Sequence, residues 1–422
     1  MKKLTAIVIG AGGRGRIYTK IMKELEGKFE LVGVAEPIEQ SVNYELEKFP
    51  NVPKENIYDT WEKILDRPKF ADFAIIATQD HMHTEPALKA IELGYDILLE
   101  KPIAPTAEEC KKIAMAAKEK GVKVLVCHVL RYAPKFMRIK EIIESGKIGE
   151  VMSIQALESV GNRHMAHSFV RGAWGNSDTS CPMILAKCCH DTDIIQWLMG
   201  KKCTRVHSFG NLSFFNKEHQ PEGAPSRCTE DCPHREECIY DVKKMYIENQ
   251  YMGSAWFKDA AAGFPNATDE EVWEAIQKNN YGTCIFEANN NVVDHQVVNM
   301  EFEGGATATL NMNCFNKGGR IIHIYGTKGE LSASMGTNVI KVYSFETNKT
   351  EEYDLEKIGQ DITSGHGGGD DGIIGAFYDM LNGKEVSVMG DISVSVKNHM
   401  IAFAAEKSRL EGRVVEVSEF YK

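Results

Sequence analysis

The sequence Ile7-Val8-Ile9-Gly10-Ala11-Gly12-Gly13-Arg14-Gly15 joins an apolar run to an apolar-periodic segment from Ile17 to Leu25. This order predicts a buried strand, a glycine turn and a helix. Gly10, Gly12 and Gly15 fit the G-x-G-x-x-G spacing, which suits a tight turn, close approach of a pyrophosphate and close helix packing. The N–H groups at the helix start, from Gly13 and Arg14, would hold the phosphates. A plain glycine-rich turn is the alternative interpretation.

A second predicted strand, Phe29 to Ala35, ends at Glu36. An acidic side chain at that place can accept hydrogen bonds from both ribose hydroxyls and would repel a 2′-phosphate. We therefore predict that the cofactor is NAD rather than NADP, with Glu36 on the adenosine ribose. The alternative is an ordinary carboxylate at the end of a strand.

Composition narrows the class of protein. The chain has 422 residues, enough for two domains, and 43% of them are hydrophobic, as in a soluble globular protein. No apolar run approaches the roughly 20 residues of a membrane span, and no signal peptide is visible, so a cytoplasmic protein is expected. The net charge of −11 argues against a nucleic-acid partner. The 11 cysteines predict free thiols, with at most one metal cluster, rather than a disulfide framework.

The order of predicted elements divides the chain into two domains. Strands and helices alternate up to Val126, which predicts a Rossmann-type, doubly wound parallel sheet over residues 1–127. Beyond it, a helix is predicted over 183–198, and the later strands lack intervening helices. An α+β domain with a mainly antiparallel sheet is therefore expected over residues 128–422. The long polar stretch 214–286 is predicted to be an elaboration at one edge of this domain.

Five further motifs occur in the order found in one enzyme family, and together with the glycine turn the chain resembles the Gfo/Idh/MocA oxidoreductases over nearly its whole length. No single motif carries this resemblance. The motifs are Ala77-Thr78-Gln79-Asp80-His81-Met82-His83, Glu100-Lys101-Pro102, Arg131-Tyr132-Ala133-Pro134, the helix that contains His190, and Gly365-His366-Gly367-Gly368-Gly369-Asp370.

Lys101 is the first candidate catalytic residue. It follows the end of a predicted parallel strand, and ligands of open α/β sheets bind beside such ends. A lysine there can donate to a substrate hydroxyl and, if desolvated, exchange a proton with it. The resemblance implies that Lys101 lies beside the nicotinamide, with Pro102 commonly in a cis bond. The alternative is a lysine that pairs with Glu100 at a domain seam.

The resemblance also implies the rest of the cofactor site. Thr78, Asp80 and His83 match the segment that lines the ribose and nicotinamide side, although the family usually has Pro-Asn where this chain has Gln79-Asp80. Further residues expected at the cofactor are Glu100, Lys101, His128 and Arg131. For Arg131, a salt bridge at the domain junction is the alternative.

His190 is the second candidate catalytic residue, because a neutral histidine is the usual acid or base near neutral pH. Many relatives carry an aspartate four residues earlier, where this chain has Ala186. Lys187, Asp191 or Asp193 could replace that aspartate, and a helix-capping histidine remains the alternative. The predicted substrate residues are Trp174, Asp191 and His366; a plain surface loop is the alternative for His366.

Cys228, Cys232 and Cys238 fall within eleven positions. Three thiolates could hold a zinc ion, with His234 or a distant cysteine as the fourth ligand. Free thiols in a polar loop, or one labile disulfide, are the alternatives, and no metal is included in the predicted site.

Three functions are compatible with these residues. The first is a dehydrogenase that transfers a hydride between NAD and a ring carbon of a sugar, glycoside or cyclic polyol. The second is a glycosidase that uses tightly bound NAD in a transient cycle of oxidation, elimination and reduction. The third is a scaffold or sensor without turnover. An uncovered apolar face of the antiparallel sheet, with strands such as Val297 to Phe302, also predicts a homodimer or homotetramer.

Overall fold

The structure is a computed structural model that describes residues 3–248, 255–357, 365–384, 386 and 390–421. Its first sheet has six parallel strands in the order β3-β2-β1-β4-β5-β6, as predicted. The strands are nearly continuous apolar runs because helices cover both faces of the sheet. Their bounds are β1 Leu4–Ile9, β2 Phe29–Ala35, β3 Ile57–Tyr58, β4 Phe73–Ile76, β5 Asp96–Leu99 and β6 Val124–Val126.

The second sheet has nine strands in the order β14-β13-β12-β11-β7-β10-β9-β8-β15. Among the strand pairs described in this second sheet, only β7–β10 is parallel, so the predicted mainly antiparallel sheet is confirmed. The bounds are β7 Val151–Ser159, β8 Cys203–Asn211, β9 His295–Phe302, β10 Thr307–Asn313, β11 Gly319–Gly326, β12 Gly329–Ser334, β13 Val339–Ser344, β14 Lys349–Asp354 and β15 Val415–Glu416.

The helices that flank the first sheet begin and end at readable signals. For example, the Thr106 hydroxyl accepts from the N–H of Glu109, and Gly121 ends the same helix in the left-handed region. The α-helices of both domains, within the residues described, are α1 Gly13–Glu24, α2 Glu39–Lys48, α3 Trp61–Leu65, α4 Thr84–Leu93, α5 Ala107–Lys120, α6 Pro134–Glu144, α7 Asn162–His164, α8 Met183–Ala186, α9 Cys189–Met199, α10 Ala255–Ala262, α11 Asp269–Ile276, α12 Gly369–Leu381 and α13 Ile392–Glu411.

One predicted helix is two helices in the structure. The helix predicted over 183–198 is interrupted at Lys187 and Cys188, between α8 and α9. Cys188 has φ −89° and ψ 4°, which takes it out of helical geometry. Apolar periodicity continues across the interruption, which is why the sequence predicted a single element.

Helix α12, late in the sequence, packs against the first sheet. The ring of Phe377 lies edge-on to Phe73 at 5.1 Å, and Tyr378 lies edge-on to Phe29 at 5.2 Å. The chain therefore returns to its first domain, and α12 brings the preceding glycine-rich loop with it. Among the residues that the structure describes, we find no helix with the length and apolar character that crossing a membrane requires.

Candidate active site

The glycine turn after β1 has the geometry that its spacing predicts. Gly10 has φ +85°, and a Cβ there would lie 2.7 Å from the carbonyl oxygen of Ala77. A Cβ on Gly12 or Gly13, by contrast, would meet nothing within 4 Å. The first glycine is thus required by the chain's own packing, while the next two leave open space where a pyrophosphate can approach the helix start.

Glu36 lies at the end of β2, next to this turn. Its carboxylate accepts hydrogen bonds from the backbone N–H groups of Ala11, at 2.7 Å, and Ile38, at 3.0 Å. Burial raises the pKa of Glu36 above its ordinary value despite these two donors. The turn therefore holds the carboxylate in a fixed position at the edge of the open space, as recognition of a ribose requires.

Arg14 faces protein groups. Its guanidinium donates to Glu100 at 2.6 Å, to the hydroxyl of Tyr18 at 2.5 Å and to Asp370 at 2.7 Å. Asp370 belongs to α12, so Arg14 connects the glycine turn to both β5 and the late helix. A role for Arg14 at the phosphates stays a prediction.

Lys101 follows β5 and has a cis peptide bond to Pro102. Its Nζ donates to the backbone carbonyl of Ala186 at 2.9 Å. Ala186 is the last residue of α8, and the chain leaves helical geometry at Cys188 before α9 begins. The lysine from the first domain is therefore anchored by the main chain of the second, at the position where many relatives have an aspartate.

Lys101 is held in its charged form. Burial by itself would lower the pKa of Lys101, yet Cys189, Glu100 and Asp80 together raise it above its ordinary value. Burial also raises the pKa of the Cys189 thiol to about 12, so this thiol is neutral near pH 7. The raised pKa keeps Lys101 protonated near pH 7, and the lysine is a hydrogen-bond donor in this state.

His190 lies in the first turn of α9 and is buried. Burial, followed by the charge of Lys101, lowers the pKa of His190 well below its ordinary value, so the ring is neutral near pH 7. Its Nδ1 has no hydrogen-bond partner among the residues described. Lys101 and His190 thus combine a charged donor with a neutral ring that has an unused nitrogen.

The three candidates for the missing aspartate are engaged elsewhere. Lys187 lies 3.4 Å from Glu158. Asp191 accepts from Arg320 at 2.8 Å. Asp193 accepts two hydrogen bonds from Arg131, at 2.7 and 2.9 Å. Within the described part of the chain, none of the three is therefore a carboxylate or amine partner of His190.

A histidine–aspartate pair does occur, on the glycine-rich loop. The Nδ1–H of His366 donates to Asp370 at 3.0 Å, and the ring of His366 lies 5.8 Å from that of His190 between centroids. Burial would raise the pKa of Asp370, but His366 and Arg14 hold it well below its usual range. Asp370 was missed as a site residue; its spacing of four from His366 was the signal available in the sequence.

The side chains of the segment after β4 make polar contacts with neighbouring parts of the protein. Asp80 accepts from the indole N–H of Trp174 at 2.9 Å and from Ser180 at 3.1 Å. The two ring nitrogens of His83 lie 2.7 Å from the carbonyl of Pro102 and 3.1 Å from that of Thr78. These side chains shape the strand ends, and contact of Thr78, Asp80 or His83 with a cofactor stays a prediction.

His128 and Arg131 lie deeper in the seam. The buried Arg131–Asp193 pair is the domain-junction salt bridge that the sequence left open as an alternative. His128 is fully buried, and its Nδ1 lies 4.0 Å from Asp193, too far for a hydrogen bond. Burial lowers the pKa of His128, so its ring is neutral near pH 7.

Sequence reasoning missed His164. It ends α7, just before a π-helix over Met165–Arg171. Burial lowers the pKa of His164 well below its ordinary value, and the charges of Lys187, Arg320 and Lys101 add to this effect. Helix α7 has three residues, too few for apolar periodicity to show, so no sequence signal identified this residue.

The three cysteines of the elaboration are free thiols. Cys228 is buried, whereas Cys232 and Cys238 are partly exposed. Among the residues described, no group of three or more histidine, cysteine, aspartate or glutamate side chains is arranged to hold a metal ion.

Two family models match the chain. Residues 4–128 match the model described as oxidoreductase family, NAD-binding Rossmann fold. Residues 140–417 match the model described as oxidoreductase family, C-terminal alpha/beta domain. The division between the two matches follows the division between the two sheets.

Individual relatives are more distant. The Bacillus subtilis (strain 168) protein YteT, named as an oxidoreductase, is 25% identical over 95% of this chain and 96% of its own. A 2,7-anhydro-N-acetylneuraminate hydratase from Mediterraneibacter gnavus is 25% identical over 61% of this chain and 62% of its own. A solved structure of levoglucosan dehydrogenase with NADH and levoglucosan has a TM-score of 0.72 at 17% identity, covering 98% of this chain and 99% of that one. At that identity the likeness shows the fold.

Proposed function

Because the chain belongs to the Gfo/Idh/MocA oxidoreductase family, we propose that it transfers a hydride between NAD and a ring carbon of a sugar, glycoside or cyclic polyol. One observation carries this proposal. Lys101, charged and anchored on Ala186, and His190, neutral with an unused ring nitrogen, lie near each other at the junction of the two domains. Junctions between domains are where small ligands often bind.

Lys101 and His190 have different roles in the proposed proton transfer. Lys101 donates a hydrogen bond to the substrate hydroxyl and stabilises the negative charge that develops on its oxygen. His190 accepts the hydroxyl proton on its neutral imidazole ring. A bound nicotinamide supplies the redox capacity that no side chain has. Each positioned proton-transfer group contributes about 10²- to 10⁴-fold in rate.

The proposed cofactor is NAD rather than NADP. The open space beside Gly12 and Gly13 fits a pyrophosphate, and the fixed carboxylate of Glu36 suits two ribose hydroxyls. A 2′-phosphate would bring negative charge against that carboxylate, which the two backbone donors hold in place.

The glycosidase with tightly bound NAD remains a second candidate, and a specific observation favours it. The His366–Asp370 pair adds a further proton-transfer group beside His190, which elimination of an aglycone requires and a simple dehydrogenase does not. One relative is also named a hydratase, a class of enzyme that adds or removes water without net oxidation.

One experiment separates the two candidates. The purified chain is supplied with NAD and a panel of sugars, cyclic polyols and 4-nitrophenyl glycosides, while nicotinamide absorbance and nitrophenol release are followed together. A dehydrogenase gives a lasting change at the nicotinamide band. A redox-cycling glycosidase releases nitrophenol without a lasting change. The absence of both signals with every compound in the panel would contradict both candidates.

We also propose that the chain forms a homodimer or homotetramer through the open face of the second sheet. Phe209, Val297, Leu157 and Ile321 lie in one row across the sheet, with Asn311 of β10 between Val297 and Leu157, and the four apolar residues are exposed or half-buried. An apolar row of this kind is suited to a partner surface. On β9 itself Val297 is the outward-facing apolar residue, so the other strands supply most of the row. A monomeric mass by light scattering at micromolar concentration would contradict this assembly.

A further inference from the structure

Helix α10 contacts both domains. Near its start, the ring of Trp256 lies 5.7 Å from that of His164 and 5.1 Å from that of His167. One turn further on, Asp259 forms an ion pair with Arg16 of α1 at 3.8 Å. The helix therefore touches the second domain at one end and the helix of the glycine turn at the other.

A line of rings leads from Trp174 to this helix. Trp174, which donates to Asp80, lies 6.0 Å from Phe169. Phe169 lies 5.6 Å from His164, and His164 lies 5.7 Å from Trp256. Trp256 is therefore three rings outward from Trp174, whose indole N–H contacts Asp80 on the segment after β4.

Trp256 is held firmly although it faces water. It is 45% exposed, whereas its neighbour Phe257 is 8% exposed. The two rings are stacked, with centroids 3.9 Å apart and planes 27° apart, and Phe257 is wedged edge-on against His167 at 4.4 Å. The buried phenylalanine therefore anchors the helix. Because burial of apolar surface favours folding, folding gives no reason for the large indole to be exposed.

The size of the exposed surface selects the kind of ligand. A stable protein partner needs about 800 Å² on each side, far more than one indole. One indole does match a single sugar ring, whose C–H face packs on an aromatic plane while its hydroxyls stay in water. His164 borders the indole, and its neutral ring can both donate to and accept from a hydroxyl.

We propose that Trp256 is a stacking platform for a second ring of the substrate, outside the ring whose carbon exchanges the hydride. The substrate class is then a glycoside of at least two rings rather than a free monosaccharide. This inference rests on the proposed function, since it takes the reacting ring to lie beside Lys101.

Calorimetric titration of the NAD-loaded chain tests the proposal without turnover. The probes are methyl glycosides of glucose, galactose, mannose and N-acetylglucosamine, each compared with disaccharides that carry the same sugar at the non-reducing end. The variants are Trp256→Ala and Trp256→Phe. Phe345→Ala is the matched control, because Phe345 is 49% exposed but lies in the turn after β13.

Disaccharides should bind the unmodified chain more tightly than their methyl glycosides. Trp256→Ala should weaken disaccharide binding by about 5- to 50-fold, the range for loss of a ring-stacking contact, and leave methyl glycosides within about 2-fold. Trp256→Phe should restore most of the affinity, and Phe345→Ala should change neither probe. Equal weakening of both probes, or no disaccharide that binds more tightly than its methyl glycoside, would overturn the platform.

The proposed function fails by a different result. If the chain binds disaccharides through Trp256 but neither reduces NAD nor releases an aglycone, the function is wrong and the platform stands. If turnover occurs equally well on free sugars and on two-ring glycosides, and Trp256→Ala changes neither KM, the function stands and the platform is wrong.

Discussion

Asp370 accepts a hydrogen bond from His366 at 3.0 Å, four residues earlier in the chain, and the ring of His366 lies beside that of His190. Since the carboxylate accepts a hydrogen bond from Nδ1–H, it fixes the tautomer and leaves Nε2 of His366 as the free acceptor. The pair supplies, from the glycine-rich loop and the start of α12, a histidine–aspartate arrangement of the kind that Ala186 cannot give His190.

Replacing Asp370 by asparagine should therefore lower kcat. We expect a loss of about 10²- to 10⁴-fold, because the amide cannot select the same tautomer or stabilise a charged imidazole. Asp371→Asn is the matched control, since its side chain is exposed one position away. Steady-state kinetics on the substrate found by the panel measure the effect. Near-normal turnover of the Asp370 variant would show that the His366–Asp370 pair only stabilises the structure of the loop.

Lys101→Met and His190→Ala should each lose turnover by about 10²- to 10⁴-fold. NAD affinity, measured by fluorescence titration, should change far less, because the glycine turn and Glu36 lie apart from both side chains. If Lys101→Met alone abolishes turnover, the proton passes through the lysine and His190 only positions the sugar. A variant that keeps near-full activity identifies that residue as structural.

Glu36→Ser should remove the preference for NAD over NADP. The serine cannot hold both ribose hydroxyls and does not repel a 2′-phosphate, so the ratio of the two dissociation constants should fall by at least about 10-fold. Glu39→Ser, at the exposed start of α2, is the control. An unchanged ratio in Glu36→Ser would show that another residue sets the choice of cofactor.

Arg131→Met should destabilise the chain. Burial alone would raise the pKa of Asp193, but Arg131 holds it below its ordinary value. Loss of the guanidinium leaves a buried carboxylate without its cation, which costs about 3–5 kcal/mol in the free energy of unfolding. Urea unfolding near pH 7 measures this. The double variant Arg131→Met with Asp193→Leu should recover part of the loss; a double variant less stable than Arg131→Met contradicts the explanation.

Stability should fall as the pH is lowered below about 6.5, the ordinary histidine value. Burial, together with the charge of Arg171, lowers the pKa of His167 to about 3. Between these two values the unfolded chain carries a proton on this histidine and the folded chain does not, so unfolding takes up a proton. Each such histidine contributes up to about 1.4 kcal/mol per pH unit.

His167→Phe provides the test of that slope. The phenyl ring suits the aromatic surroundings of His167, which include Phe257 and Tyr281. Free energies of unfolding in urea at pH 7.5, 6.5 and 5.5 should show a shallower decline for the variant. Parallel declines for the two chains would mean that His167 does not titrate on unfolding.

The fold was predictable where local pattern and burial agree. The glycine turn and the alternating strands and helices of the first domain need only residues close in sequence, and all were predicted. In the second domain, strands β12 and β14 have weak sequence signals, because one is built largely of small and polar residues and the other is largely exposed. Their pairing with β13 defines them, and pairing with a neighbour is not visible in the composition of a single strand.

The candidate site was predicted residue by residue but not as a network. Lys101 and His190 could be named from their motifs, whereas the carbonyl of Ala186 as the partner of Lys101 depends on an interruption that periodicity conceals. Asp370 stands in the first turn of α12 and His164 at the end of the one-turn helix α7, and neither position has the apolar periodicity that sequence analysis reads. Contacts between side chains of different elements are therefore what sequence reasoning missed.

The interruption between α8 and α9 has a consequence for how such a site is inherited. Every amino acid at position 186 brings the same carbonyl, so natural variation there leaves the anchor of Lys101 untouched as long as the break in the helix is kept. A main-chain oxygen also cannot ionise, and it keeps this contact through any change in acidity. Related proteins can thus share this backbone contact even where they have different residues at this position.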